Sequence, residues 1–206
     1  MVNMKKRAIL KTLLIKTVKF FSPLFFEKKY LTGRHFEESS IGWTWVARSI
    51  LWQKIFGFNR HIPWPVSPFV TISNPDNIQF DIDNLDNFQF FGNYFQNHYG
   101  SIIIGKGTYI APNVGIITSD HDPENLDIYL PPENVVIGKK CWIGMNAVIL
   151  PGVILGDHTI VGAGAVVTKS FQEGNVIIAG NPAKIIKKII TADNSPQSSQ
   201  MMEKIS

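Results

Sequence analysis

The chain has 206 residues, of which 45% are hydrophobic and 17% charged, and its formal net charge is +4. This length and composition are typical of one globular domain with appendages and give no support to nucleic-acid binding beyond a mild basic bias. The single cysteine, Cys141, excludes a disulfide framework or a thiolate metal site within one chain. It favours a reducing compartment, so we expect a cytoplasmic protein without a metal.

Residues 1–30 form a basic segment with helical spacing. Residues 1–29 contain eight Lys or Arg and one acid, Glu27. The side chains that recur on one side of the predicted helix, away from most lysines, are Ile9, Leu10, Leu13, Leu14, Thr17, Phe20, Phe21 and Leu24. We expect an amphipathic helix that ends near Ser22. Lysines interrupt the apolar run, which argues against a membrane span of roughly 20 apolar residues and against a signal peptide.

The sequence leaves two roles open for this helix. In the first, residues 4–21 lie on an anionic membrane surface at the inner face of the membrane. In the second, the helix packs on its own protein or on a partner subunit. Both roles use the same apolar side, so the spacing alone does not separate them.

Residues 31–64 are rich in aromatic side chains and are predicted to form a cap before the rest of the fold. Four of the five tryptophans lie here: Trp43, Trp45, Trp52 and Trp64. A helix is predicted over residues 41–58, and the prolines that follow it favour extended chain. The tryptophans either pack the cap against the following domain or form a wall for a sugar ring.

A six-residue repeat dominates residues 65–178. Its aliphatic positions are Ile104, Ile110, Ile116, Ile137, Ile143, Ile149, Leu155, Val161 and Val167. A period of six fits neither a helix nor an alternating strand, but it fits a coil with three flat sides, in which three repeats close one turn. Upstream the repeat is weaker: Ile72 and Ile78 are six apart, and Phe90 is predicted to lie one full turn after Ile72.

Residues 117–136 break the repeat and are predicted to form a loop. Ile116 and Ile137 are 21 residues apart, which is three more than one full turn of the coil. Loops that leave a rigid repeat often carry function, and this loop holds His121 between Asp120 and Asp122. After the coil we expect a turn at residues 179–183, a short basic helix at 184–190 and a flexible tail at 191–206.

Several motifs resemble the hexapeptide-repeat acetyltransferases, especially over residues 60–190. They are Thr-Ser-Asp-His-Asp at 118–122, Cys-Trp-Ile-Gly at 141–144, Leu-Pro-Gly-Val at 150–153, Val-Gly-Ala-Gly-Ala-Val-Val-Thr-Lys at 161–169 and Ala-Gly-Asn-Pro-Ala-Lys at 179–184. The chain is most similar to maltose and galactoside acetyltransferases and to O-acetyltransferases of polysaccharide biosynthesis. The resemblance implies a mainly β fold, a left-handed parallel β-helix that forms a homotrimer with acetyl-CoA sites between subunits.

The resemblance also implies residue roles. His121 stands at the position of the family's catalytic histidine, a general base for an acceptor hydroxyl. The positions that match the acetyl-CoA site are Trp142, Gly144, Met145, Ala163, Gly164, Thr168, Lys169, Lys184 and Lys187. The family often has Arg where this chain has Lys184 and Lys187, which weakens a bidentate phosphate contact. Asn93, Asp120 and Asp122 are candidate acceptor contacts, and either acid or a backbone carbonyl could orient His121.

The predicted activity is acetyl transfer from acetyl-CoA to a sugar hydroxyl in capsule, exopolysaccharide or lipopolysaccharide biosynthesis. An N-acetyltransferase acting on an amino sugar or a nucleotide amino sugar is the alternative. A zinc enzyme of the carbonic anhydrase type needs three converging histidines, and the five histidines form no close pair. A non-catalytic β-helix scaffold would not require His121, Trp142, Thr168 and Lys169 together.

Overall fold

The computed structural model describes residues 2–190, with side chains from Thr12 onward. The first quarter of the chain is helical: α1 Val2–Phe21, α2 Arg34–Glu37 and α3 Ile41–Ser49, which continues as a π-helical segment Ile50–Ile55. Short 3-10 turns at Ser22–Leu24 and Lys28–Tyr30 join α1 to α2. Helix α1 ends directly before Ser22, as the sequence predicts. Within residues 2–190, no helix has both the length and the apolar character needed to cross a bilayer.

Aromatic side chains pack the helical cap onto the rest of the molecule. Trp64 is fully buried, with its ring 5.1 Å from the ring of Tyr30 and 5.5 Å from that of Phe88. Trp43 packs edge-on against Phe36 at 4.9 Å between ring centroids. These tryptophans are packing residues, in line with the first of the two interpretations.

Within the part of the chain that the structure describes, fourteen short strands follow the cap. Their bounds are β1 Thr71–Ile72, β2 Ile78–Phe80, β3 Tyr94–Gln96, β4 Ile102–Ile104, β5 Tyr109–Ile110, β6 Gly115–Ile117, β7 Val135–Ile137, β8 Trp142–Ile143, β9 Val148–Ile149, β10 Ile154–Leu155, β11 Ile160–Val161, β12 Val166–Val167, β13 Val176–Ala179 and β14 Lys184–Lys188. They form three sheets: the first sheet is β1-β3-β6-β9-β12, the second sheet is β2-β4-β7-β10, and the third sheet is β5-β8-β11-β13-β14.

From β4 to β12 the chain visits the second, third and first sheets in the same cyclic order, and the strand pairs of this coil are parallel. The six-residue repeat sets the register. Ile143 pairs beside Val161, and Ile149 pairs beside Val167, so equivalent aliphatic residues stack on successive turns. These residues are buried, because they occupy inward-facing positions of their strands and point into the narrow core. The repeat prediction is confirmed.

The corners between sheets need backbone that turns sharply. At the corner from the second to the third sheet, Gly107, Lys140, His158 and Asn175 stack on successive turns, each with a φ angle between 51° and 74°. This left-handed conformation is uncommon for residues other than glycine and asparagine. His158 is therefore a corner residue of the coil.

The beginning of the coil differs from the expected register. Ile72 pairs beside Phe95, not Phe90, and Phe90 is 42% exposed. A 3-10 segment at Ile82–Phe88 inserts extra residues between β2 and β3 and moves the inward position from Phe90 to Phe95. The predicted place of Phe90 is therefore wrong.

The prediction of a helix at residues 184–190 is also wrong. Lys184–Lys188 is strand β14, which pairs antiparallel with β13 at the end of the third sheet. The β-branched pair Ile185 and Ile186 favours a strand, and the pairing gives the backbone groups of β13 a partner at the sheet edge. The predicted tail, residues 191–206, lies outside the described residues.

Candidate active site

The long loop leaves the first sheet after β6 and enters the second sheet at β7. Ile116 and Ile137 lie on adjacent sides of the coil, in the first and second sheets. The spacing of 21 residues therefore replaces the spacing of six that the repeat uses between adjacent sides. The whole excess forms a loop at one corner, and this loop carries His121.

A backbone carbonyl orients the His121 ring. The Nδ1 atom of His121 lies 2.6 Å from the carbonyl oxygen of Leu126. Since a carbonyl oxygen only accepts, Nδ1 carries the proton and donates it, which leaves the lone pair on Nε2. The ring also packs against Tyr129, with 4.3 Å between ring centroids. His121 is exposed to solvent.

The backbone of the loop is closed by its own hydrogen bonds. The Asp122 N–H donates to the Ile128 carbonyl at 2.9 Å, and the Leu130 N–H donates to the Asp120 carbonyl at 2.9 Å. The Asp122 carboxylate accepts the Glu124 N–H at 2.8 Å. Asp122 therefore caps a turn of the loop and does not orient His121.

Gln96 holds the base of the loop, a role that the sequence analysis missed. Its Oε1 atom accepts the N–H groups of Thr118 at 3.0 Å and Ser119 at 3.2 Å, and its Nε2 donates to Ser119 Oγ at 2.7 Å. Gln96 stands beside Ile117 in the first sheet. Only the strand pairing reveals this contact, because the residues are more than twenty positions apart in sequence.

A cavity of about 320 Å³ opens beside His121. Its walls include Tyr94, His98, Tyr99 and Tyr129, none of which the sequence analysis proposed. Tyrosines offer apolar ring faces together with hydroxyl groups, and histidine adds a polar ring edge. This combination suits a ligand with both C–H faces and hydroxyl groups.

The first of the residues predicted to bind acetyl-CoA lie on the third sheet and at the corner that follows it. Trp142 is 55% exposed and borders an open cavity of about 410 Å³. Met145 and Gly164 stack on successive turns, with the Gly164 N–H donating to the Met145 carbonyl at 2.8 Å. A Cβ atom on Gly144 would lie 2.6 Å from the Ala163 nitrogen, so only glycine allows this close stacking.

The surface above Gly164 is open, because a Cβ atom added to Gly164 would have no other atom of the described residues within 4 Å. Thr168 and Lys169 follow β12 and are exposed, as are Lys184 and Lys187 on β14. Lys169 borders a cavity of about 480 Å³ at the C-terminal end of the coil, together with Ile185 of β14. This end of the coil therefore presents several cations to solvent.

His121 and Trp142 lie on different parts of one chain. His121 follows the first sheet toward the second, whereas Trp142 lies in the third sheet and Met145 lies at the corner from the third sheet to the first. One side of the coil separates the two groups. The described chain does not bring the candidate base and the candidate donor residues together.

Asn93 is buried, with 1% of its surface exposed, and is not presented to an acceptor. Its amide donates to the Asn87 carbonyl at 3.2 Å and accepts the Val114 N–H at 3.1 Å. Asn84 and Asn87 bridge neighbouring turns in the same manner. Asn93 is therefore a structural residue of the coil, which corrects its expected contact with the acceptor.

Comparison with known proteins identifies the family. The family model described as "Bacterial transferase hexapeptide (six repeats)" matches residues 134–169. A provisionally named acetyltransferase of Schizosaccharomyces pombe, C18B11.09c, is 31% identical over 150 residues, which cover 69% of this chain and 68% of that protein. The chain belongs to the hexapeptide-repeat acetyltransferases.

Two further members of the hexapeptide-repeat acetyltransferases illustrate the similarity. WbbJ of Escherichia coli strain K12, provisionally named a lipopolysaccharide biosynthesis O-acetyl transferase, is 43% identical over 101 residues, 43% of this chain and 50% of WbbJ. A solved galactoside acetyltransferase in complex with coenzyme A has a TM-score of 0.52 and 30% identity, covering 63% of this chain and 64% of that chain. The chain spans about half to two thirds of the length of the curated relatives it matches.

The single cysteine of this hexapeptide-repeat acetyltransferase is shielded. Cys141 is 1% exposed, and its Sγ atom lies 3.3 Å from the Gly156 carbonyl oxygen. Burial raises the pKa of the Cys141 thiol above its ordinary value. A buried thiol with a raised pKa is a poor nucleophile. Among residues 2–190, no three His, Cys, Asp or Glu side chains converge in a way that could hold a metal ion.

Proposed function

We propose that this protein transfers the acetyl group of acetyl-CoA to a sugar hydroxyl during the assembly of capsule, exopolysaccharide or lipopolysaccharide. The observation that carries the proposal is the hydrogen bond from His121 Nδ1 to the Leu126 carbonyl, which leaves Nε2 as a base beside a tyrosine-lined cavity. Membership of the acetyltransferase family supports the same chemistry.

His121 acts as the general base in this mechanism. The acceptor hydroxyl gives its proton to Nε2 while its oxygen forms a bond to the thioester carbonyl carbon. The C–S bond then breaks, and the proton on Nε2 passes to the leaving thiolate, which returns His121 to its starting state. A positioned base of this kind contributes about 10²- to 10⁴-fold to the rate. The burial of Cys141 supports direct transfer without an acyl-enzyme.

Small residues and the exposed indole of Trp142 suit the binding of acetyl-CoA, the acetyl donor. An extended pantetheine arm needs backbone that it can approach closely, and the open surface over Gly164 beside Ala163 provides it. Trp142 would pack against this arm, with Gly144 and Met145 completing the edge. Thr168, Lys169, Lys184 and Lys187 would face the nucleotide and its phosphates as exposed hydroxyl and cationic groups.

The complete site would lie between subunits of a homotrimer. His121 and Trp142 are separated by one side of the coil, so a second copy must supply one of the two groups. We infer that the three-sided coil is the left-handed parallel β-helix of the family, and that each groove between neighbouring coils holds one active site. Isolated chains would then lack activity.

The acceptor is proposed to be a sugar. WbbJ carries a name from lipopolysaccharide biosynthesis, and WcaF of Escherichia coli, a further relative, one from colanic acid biosynthesis. The tyrosine-lined cavity beside His121 supports a ligand with apolar C–H faces and hydroxyl groups. Asp120 is exposed beside His121 and is the carboxylate proposed to accept a hydrogen bond from the sugar.

Thiol release from acetyl-CoA tests the proposal. The full chain is incubated with sugars, nucleotide sugars and lipid-linked oligosaccharides, and mass spectrometry identifies the product. We expect coenzyme A release with an acetylated sugar whose new bond is hydrolysed by mild base, as an ester is. A product stable to mild base would be an amide and would contradict O-acetylation. Absence of acetyl-CoA binding by calorimetry would contradict the donor assignment.

A further inference from the structure

The helix α1 and the 3-10 turn that follows it present large apolar side chains to solvent. The outer stripe, which we define as Leu13, Leu14, Phe20, Phe21 and Leu24, has exposed fractions of 60%, 55%, 77%, 46% and 77%. Another side of the helix packs against the rest of the protein. Val18, on that side, is 8% exposed and belongs to the core that includes Val46 of α3. One side of α1 therefore packs on the protein, and a different apolar side remains uncovered.

A polar residue, Thr17, lies among the apolar residues of the outer stripe but adds little polarity to it. Thr17 lies between the two pairs of apolar residues, and its hydroxyl donates to the Leu13 carbonyl at 3.1 Å. Its hydrogen-bonding need is met within the helix, which leaves its methyl group for an apolar contact. The outer stripe therefore runs along α1 from Leu13 to Phe21, and Leu24 in the following 3-10 turn extends it.

Positive charge flanks the outer stripe. Lys16 and Lys19 lie on the same helix and are exposed, and Lys28 and Lys29 follow in the next turns. Lys19 sits over the Trp43 ring at 5.0 Å, and Lys29 pairs with Glu27 at 2.8 Å. Glu27 is the only acid in residues 1–29, so the region carries a large net positive charge.

We propose that the outer stripe docks on an anionic lipid bilayer, with its apolar side chains in the interface and the flanking lysines at the headgroups. Apolar contact and attraction to anionic lipid together hold such helices in the membrane plane. A second copy of this chain fits the stripe less well, because pairing two such helices would bring two sets of lysines together without acids to balance them. The proposal does not depend on acetyl transfer.

Vesicle sedimentation tests the docking. The full chain is mixed with two kinds of vesicle. One contains phosphatidylcholine alone, and the other contains phosphatidylcholine with about 30% phosphatidylglycerol, which makes its surface anionic. We expect at least about tenfold tighter binding to the anionic vesicles, weakened by salt because exposed charges are screened over roughly 10 Å at 0.1 M. Equal binding to both vesicles would overturn the proposal.

Variants at exposed positions locate the contact. The triple variant L14S/F20S/L24S removes most of the outer stripe, and we expect it to lose about tenfold or more of the binding to anionic vesicles. The matched control, Ile190→Ser, removes an apolar side chain that is 74% exposed far from α1 in sequence. We expect the control to bind as the unchanged protein does. Thermal melting of the variants verifies that they remain folded.

Two further results separate the docking from other roles. The double variant K16Q/K28Q keeps the apolar stripe, and we expect it to weaken binding to anionic vesicles while leaving binding to phosphatidylcholine unchanged. Unchanged vesicle binding by L14S/F20S/L24S would contradict the docking. A loss of the oligomeric state in that variant, measured by light scattering, would assign the outer stripe to a contact between subunits and overturn the proposal.

Discussion

His121 donates a 2.6 Å hydrogen bond to the backbone carbonyl of Leu126, five residues further along the same loop. A backbone carbonyl cannot take up a proton near neutral pH, so it holds one tautomer of the imidazole without competing for the proton. The loop thus both carries the candidate base and determines which nitrogen acts. The proposed activity rests on this pair.

Replacement of His121 should separate proton transfer from loop structure. His121→Asn keeps an N–H group that can reach the Leu126 carbonyl but lacks the base, and His121→Ala lacks both. We expect turnover to fall by about 10²- to 10⁴-fold in both variants, with acetyl-CoA affinity nearly unchanged. Steady-state kinetics and calorimetry measure the two quantities. Turnover close to that of the unchanged protein would remove His121 as the base.

Asp122 should affect the loop through its turn and not through His121. Asp122→Asn keeps an oxygen that can accept the Glu124 N–H, so we expect turnover within about threefold of the unchanged protein, a difference below 1 kcal/mol in activation free energy. Asp122→Ala removes the cap, and its loss of a turn hydrogen bond should cost about 0.5–1.5 kcal/mol of loop stability. A large loss of turnover in Asp122→Asn would show that the carboxylate charge assists the imidazole.

Cys141 should be dispensable for the chemistry. Cys141→Ala conserves a small side chain at this inward position, so we expect turnover to stay within a few-fold and folding to be retained. The thiol of the unchanged protein should react with a thiol reagent only after denaturation, because it is buried and its pKa is raised. Loss of turnover with an unchanged melting temperature would instead indicate a covalent acetyl intermediate.

Asn93 should matter for stability and not for acceptor binding. Asn93→Ala leaves the Val114 N–H and the Asn87 carbonyl buried without their partner, at a cost of about 1–3 kcal/mol for each group. We expect a lower free energy of unfolding by denaturant titration. The exposed Gln79 provides the matched control, since Gln79→Ala removes an outward amide. An increased KM for the acceptor with unchanged stability would contradict this assignment.

Asp83 should contribute to stability in a pH-dependent manner. The Arg34 backbone N–H, 2.9 Å from its carboxylate, is the main cause that lowers the pKa of Asp83 below 3.8, and Lys106 at 3.2 Å adds to it. Because the folded-state pKa is lowered, this stabilisation is present above the ordinary pKa and is lost as the pH falls through the folded-state value.

The measurement for Asp83 is the melting temperature of Asp83→Asn as a function of pH. We expect the variant to melt below the unchanged protein at pH 6–8, and the difference to shrink as the pH falls below about 3.8. Asp76→Asn, at an exposed carboxylate, is the control. A difference that stays constant from pH 7 to pH 3 would contradict the electrostatic explanation.

The parts of the fold that the sequence predicted share one property: they depend on local spacing. The buried positions from Ile104 to Val167 follow from the six-residue period, and the end of α1 follows from Ser22 and Pro23. The errors lie where spacing is interrupted. The period does not continue to Phe90, because a 3-10 segment interrupts it. The strand at Lys184–Lys188 depends on pairing with β13, which no local pattern reveals.

The sequence by itself determined the three-sided core and placed His121 in a loop outside it, because both follow from which positions repeat. Tertiary structure decided the surroundings of that histidine: Leu126 supplies its hydrogen-bond partner, Tyr129 packs on its ring, and Gln96 holds the base of the loop. It also placed His121 and Trp142 one side of the coil apart. These relationships depend on the path of the backbone around the corners, which brings together or separates residues irrespective of their distance in sequence.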